Sequence, residues 1–174
     1  MEIWYTISGA IDIDTAHQLI VWVNQQLYNG SPSKLKIFLS STGGDMDSAV
    51  RIYFYLKALP IEVEMIGFGQ VDSAANTIFV STKNRKALKN TRFLLHEGTF
   101  TVGNSTASLA AHEENLRLLN TLHKQNVDIL SLETGKPREE ISNILSEAKI
   151  LTTEEAVELG LVSEIIEKLP LIQK

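Results

Sequence analysis

Ser73 and His96 are the residues of this chain best placed to do chemistry. The serine ends the stretch Gly69-Gln70-Val71-Asp72-Ser73 and precedes an apolar, alanine-rich run, so the pattern predicts a hydroxyl at a strand-to-helix junction. The histidine follows 23 residues later, at the end of the hydrophobic strand expected over 93–96. The first N–H groups of a helix have no intrahelical acceptor, and the helix dipole favours negative charge beside them. An imidazole that takes the hydroxyl proton and hands it to a leaving group would complete the pair needed for nucleophilic acyl transfer. Gly43-Gly44, after the neighbouring strand, adds backbone that tolerates close approach, and the Gly44 N–H is a candidate donor to the same oxyanion.

Each part has a plainer reading. A serine at a helix start can simply cap it, a histidine after Leu94-Leu95 can be packed or exposed, and a Gly-Gly turn can be only a turn. What favours the chemical reading is that all three fall, in order, at the ends of alternating elements, where open α/β sheets place their sites.

Composition narrows the class. At 174 residues and 44% apolar, the chain has enough material for one domain with a sizeable core. No uninterrupted apolar run is long enough for a membrane span, and the N-terminus has neither a basic region nor a long apolar segment, so no signal peptide is expected. With no cysteine there are no disulfides, no thiol nucleophile and no cysteine-bound zinc, which suits a cytoplasmic protein. No cofactor or metal is called for. The net charge is −5, with 8 acidic and 4 basic residues in 1–80 and 13 and 12 in 81–174. A nucleic-acid partner would want a basic field. The one basic cluster, Lys83, Arg85, Lys86, Lys89 and Arg92, reads as a solvated rim.

The elements that must position these residues alternate. A strand over 3–8 ends at Ser8-Gly9. Asp12 or Asp14 caps a helix with apolar face Ile13, Ala16, Leu19, Ile20, Val23 and Leu27. A strand over 35–39 leads into the turn Ser41-Thr42-Gly43-Gly44, and Asp45 caps a helix buried through Ala49, Val50, Tyr53 and Leu56. A strand over 61–68, the serine junction, a short apolar helix and two brief strands follow. Such alternation predicts an α/β fold: a mostly parallel sheet with crossover helices. Beyond His96, Thr99 to Val102 can form an extended arm. Asn104 or Ser105 then caps a long helix to about Leu132, striped by Leu109, Leu116, Leu119, His123, Val127 and Leu130. An arm and helix of that length project, and suit packing against a partner chain. Pro137 opens a short helix, Leu151-Thr152-Thr153-Glu154-Glu155 starts a last one ending at Gly160, and 161–166 is a final strand before a loose tail. No domain boundary is visible, so 1–174 is one domain.

From about Gly9 to Glu167 the chain resembles the Clp protease proteolytic subunit family, which shares its wider ClpP/crotonase-like fold with serine-type signal peptide peptidases. Where that family has Asn-Ser-Pro-Gly-Gly, this chain has Ser40-Ser41-Thr42-Gly43-Gly44. For Gly-Gln-Ala-Ala-Ser-Met it has Gly69-Gln70-Val71-Asp72-Ser73-Ala74, and for Met-Ile-His-Gln it has Leu94-Leu95-His96-Glu97. The resemblance implies Ser73 as nucleophile, His96 as base, and backbone donors at Gly44 and Ala74. It also implies residues 99–132 as a protruding strand-helix handle by which rings stack, peptides or unfolded proteins as substrates, and an AAA+ unfoldase as partner.

Three departures stand out. The family's acidic third member lies three residues before Leu151-Thr152-Thr153-Glu154-Glu155-Ala156, a position held here by Ala148; Glu147 and Glu97 are the neighbouring carboxylates able to replace it. In one well-studied triad enzyme, losing that acid lowers the rate by about 10⁴. Asp72 stands where the family has a small residue, and is expected to face solvent or cap the following helix. The chain also starts at the family's first central strand, so the axial loop and first helix, which an unfoldase would engage, are expected to have no counterpart in it.

The expectation is therefore a serine endopeptidase working inside an oligomeric chamber. The alternative is a catalytically impaired Clp-like subunit acting through assembly. A crotonase-type acyl-thioester reaction is weaker, because the Ser73–His96 spacing has no purpose there.

Overall fold

The computed structural model describes residues 1–99 and 108–170. The chain alternates as expected through β1 (Glu2–Ile11), α1 (Ile13–Asn29), β2 (Lys34–Gly44), α2 (Met46–Ala58), β3 (Glu62–Asp72) and α3 (Ala74–Phe79). It continues through β4 (Asn84–Leu88), β5 (Arg92–Leu95), α4 (Leu109–Thr134), α5 (Arg138–Ser146), β6 (Lys149–Leu151), α6 (Thr153–Leu159) and β7 (Glu164–Ile166). These strands make a 7-stranded sheet in the order β1-β2-β3-β4-β7, with β5 on β3 and β6 on β5. All pairings are parallel except β5 with β6. This is an α/β fold with crossover helices, and no described helix is long and apolar enough to cross a membrane.

Local chemistry explains the helix starts. Asp12 caps α1 by accepting Thr15 N–H at 2.8 Å, and Asp45 caps α2 through Ser48 N–H at 2.8 Å. Thr152 and Glu155 form a reciprocal capping box on α6. The buried faces of α1 (Ala16, Leu19, Val23) and α2 (Ala49, Ile52, Tyr53, Leu56) recur every three or four residues and lie against the sheet core. At the centre Phe79 of α3 meets Phe93 of β5 edge-on, with ring centroids 5.3 Å apart.

Several boundaries differ from those expected. Both early strands are longer: β1 runs past Gly9 to Ile11, and Ser41–Gly44 is the end of β2 rather than a turn. The two ends pair with each other, Ala10 with Gly43 and Ile11 with Gly44, across a register shift after Gly9. Glycine signals a turn only when nothing offers its backbone a ladder, and here a neighbouring strand does. β3 also outruns 61–68, because it changes partner: Glu64–Gly67 pair with β4, and Gln70–Asp72 with β5. That change carries the strand to the serine junction.

The long helix is capped by Ser108, whose Oγ accepts Ala111 N–H at 3.2 Å, not by Asn104 or Ser105, which lie outside the described residues along with most of the expected arm. Its stripe is continuous in sequence, but its buried residues cluster in the C-terminal third: Asn126, Val127, Ile129, Leu130 and Glu133. Leu109 and Leu116 are 76% and 59% exposed, since the helix extends beyond the core that its last turns cover.

The basic cluster is a solvated rim only in part: Lys83, Lys89 and Arg92 are exposed, but the others are not. Arg85 is buried and donates to the carbonyls of Glu133 at 3.1 Å and Gly160 at 2.8 Å. Lys83 binds the Glu133 carboxylate at 2.8 Å, Lys86 pairs with Glu164, and Arg92 pairs with Asp72. Alternation along β4 buries Arg85 and leaves Lys86 half-buried.

Candidate active site

Ser73 sits between β3 and α3 with φ 57 and ψ −126, a conformation that side-chain-bearing residues rarely hold. Its hydroxyl makes no capping bond to α3, so the simple N-cap role does not apply. The elbow is fixed by its backbone instead. Ser73 N–H donates to Leu94 O at 2.7 Å, and Ser73 O accepts Asn76 N–H at 3.0 Å and Asn76 Nδ2 at 3.1 Å. Ala74, fully buried, opens α3, so its N–H is among those without an intrahelical acceptor.

Gly43 explains how β2 reaches this elbow. A Cβ on it would lie 2.6 Å from the Ser73 Cβ, 2.6 Å from Asp72 O and 3.0 Å from Ala74 N, and its φ is +84. Only glycine lets the two backbones touch, and this contact carries Gly44 alongside the start of α3.

His96 lies one residue past β5 and is half-buried. It lines a 370 Å³ cavity together with Gly44 and Ser73, so three of the site residues expected from sequence share one cleft. Among the described residues no hydrogen bond joins Ser73 Oγ to His96; such contacts often tighten only when substrate is bound. The opposite wall comes from α4, through Leu118, Leu119, Leu122, His123 and Asn126. Asn126 Oδ1 accepts Thr77 Oγ1 at 3.0 Å, which ties that wall to α3. Of these α4 residues only Leu119 and His123 fall on the helix stripe read from the sequence; Leu118, Leu122 and Asn126 do not, since nothing local marks a helix as the wall of a distant site.

The carboxylates are arranged differently from expectation. Asp72 neither faces solvent nor caps α3: it is 3% exposed and accepts Leu94 N–H at 3.1 Å and Arg92 Nε at 3.3 Å. Its partner pulls it away from the cavity, which it does not line. Arg92 went unrecognised as that partner because the β3–β5 register, not sequence proximity, brings Gln70 and Arg92 opposite each other. Glu97 is exposed and its N–H donates to Leu145 O at 3.1 Å, while exposed Glu147 ends α5 and borders a separate surface hollow with Lys149. Neither lines the cavity of Ser73 and His96. Ala148 has φ 51 and precedes β6.

A strained serine, an imidazole lining the same cavity and the N-terminal end of α3 beside them form an arrangement compatible with acyl transfer. The Clp protease family profile matches residues 5–169. The ATP-dependent Clp protease proteolytic subunit of Paracoccus denitrificans is 32% identical over 142 residues, covering 80% of this chain and 70% of that one. Subunit 2 of the same protease from Pseudomonas aeruginosa is 30% identical over 166 residues, covering 92% and 79%. In three dimensions the chain superposes on a ClpP1 mutant from Listeria monocytogenes with a TM-score of 0.85, at 24% identity and covering 95% and 92% of the two chains, a likeness of fold. The chain therefore belongs to the Clp protease family.

Proposed function

We propose that the protein is a Clp-type serine peptidase that cleaves peptides or unfolded chains within an oligomer. The observation that carries this is the Ser73 elbow, whose strained backbone presents a hydroxyl with no hydrogen-bond partner among the described residues to the cavity that His96 and Gly44 also line. Strain of this kind costs about 1–3 kcal/mol and persists where the surroundings enforce it, commonly at active sites.

In the reaction, Ser73 Oγ attacks the scissile carbonyl carbon while His96 takes its proton. The Gly44 and Ala74 N–H groups stabilise the oxyanion, and the amine leaves with the proton from His96. Water then attacks the acyl-enzyme by the same route. The leucines of α4 give the substrate an apolar wall, and the exposed Leu109 and Leu116 support a role for this helix in subunit contacts. An AAA+ unfoldase remains the partner implied by the family.

A second reading, a scaffold subunit with little turnover, is favoured by Ala148, which provides no carboxylate to orient His96. Hydrolysis of fluorogenic peptides by the wild-type protein, compared with Ser73→Ala and His96→Ala, separates the two. Turnover abolished by Ser73→Ala supports the peptidase; a stable oligomer without any Ser73-dependent turnover supports the scaffold.

A further inference from the structure

Asp72 is the one ionisable residue of the elbow that the reaction does not use. It immediately precedes Ser73, and its side chain is 5% exposed. The carboxylate is turned to Arg92 and β5, and it does not line the cavity that Ser73 lines. Its Oδ1 accepts Leu94 N–H at 3.1 Å and Arg92 Nε at 3.3 Å, its Oδ2 binds the Arg92 guanidinium, and the same guanidinium reaches Gln70 Oε1 at 2.7 Å. On the backbone side, Leu94 O accepts Ser73 N–H at 2.7 Å and Asn76 Nδ2 at 2.8 Å. Leu94 is thus held at its N–H by Asp72 and at its carbonyl by the elbow, two residues before His96.

We propose that Arg92 is a positioning residue for acyl transfer: it holds the Asp72 carboxylate against β5, fixing the Ser73 elbow to the strand that leads to His96, and it neutralises a buried negative charge one residue from the nucleophile. This rests on the peptidase reading. An oxyanion forming at Ser73 is opposed by any uncompensated carboxylate nearby, and the opposition is strong where water is scarce. Arg92 is 48% exposed whereas Asp72 is almost fully enclosed, so removing the arginine strands the charge, while removing both residues deletes it.

A peptide boronate and the peptide amide of the same sequence distinguish this role from simple bracing. Boron accepts a lone pair from Ser73 Oγ to give an anionic tetrahedral adduct as the hydroxyl proton passes to His96; the amide binds without new charge. Arg92→Ala is expected to weaken boronate binding by about tenfold or more while leaving amide affinity unchanged, Arg92→Lys to keep most of the binding, and Asp72→Ala with Arg92→Ala to lie closer to wild type than Arg92→Ala alone. Equal losses for boronate and amide, or a double variant no better than Arg92→Ala, overturn the proposal. If the wild-type protein binds no boronate, it is the peptidase reading that fails. The clamp is then read by hydrogen exchange of the Ser73 amide, expected to be faster in Arg92→Ala and overturned by an unchanged rate.

Discussion

Ala148 and His96 flank the same end of the β5–β6 ladder: each lies one residue beyond its last pair, Leu95 with Lys149. A methyl group there neither accepts an imidazole N–H nor steadies an imidazolium. Ala148 also holds φ 51, a region that aspartate tolerates better than alanine. Ala148→Asp is therefore expected to raise kcat on a fluorogenic peptide by about 10² or more, within the ~10⁴ that such an acid contributes elsewhere, with no loss of stability. An unchanged kcat would show that His96 takes its orientation from another group.

The elbow sets stability against function. Ser73→Gly relieves the strain of φ 57 but leaves the unfolded chain freer, so the net gain is about 1 kcal/mol, or about 3 °C in Tm, with turnover abolished. Ser73→Ala, which keeps the strain, is expected to lose turnover without that gain. Differential scanning fluorimetry beside a peptidase assay reads both.

Gly43→Ala inserts a methyl against the Ser73 Cβ and the Asp72 carbonyl, both 2.6 Å from where it would sit. Backbone on each side leaves no flexible side chain to give way. The expected outcome is destabilisation by about 3 kcal/mol in urea and loss of turnover. Retention of both would mean that β2 and the elbow separate more readily than their packing indicates.

The buried Glu133 gives the fold an acid limit. Burial pushes its carboxyl up, but hydrogen bonds from Lys57, Lys83 and Tyr53 outweigh this and bring it down from 4.5 to about 2. A carboxyl whose folded pKa lies below its unfolded value stabilises fully above the unfolded value and loses that contribution as pH falls through the folded one. Stability should thus decline from about pH 4.5 towards about pH 2. Glu133→Gln should flatten that segment of the profile and, by removing the carboxylate that lies 4.0 Å from the buried Arg85 guanidinium, cost about 3 kcal/mol at neutral pH. Urea titrations across pH test both parts.

The order of elements was legible because apolar periodicity and the caps at Asp12, Asp45 and Thr152 are local signals that the fold respects. What was not legible depends on register. The strand character of Ser41–Gly44 follows from pairing with β1, the partner change in β3 from the placement of β4 and β5, and the Asp72–Arg92 pair from a ladder that brings together residues twenty apart. In the candidate site, Ser73, His96 and Gly44 carried motif signals, while of the α4 wall only Leu119 and His123 lay on a helix stripe, one that explains a core equally well, and Leu118, Leu122 and Asn126 carried none.

The central claim is that Ser73 is a nucleophile activated by His96. Intact-mass and peptide mass spectrometry after treatment with a fluorophosphonate test it most directly. One adduct per subunit, mapped to Ser73, absent in Ser73→Ala and much slowed in His96→Ala, is the expected result. No adduct on the wild-type protein, or one that persists in Ser73→Ala, would contradict it.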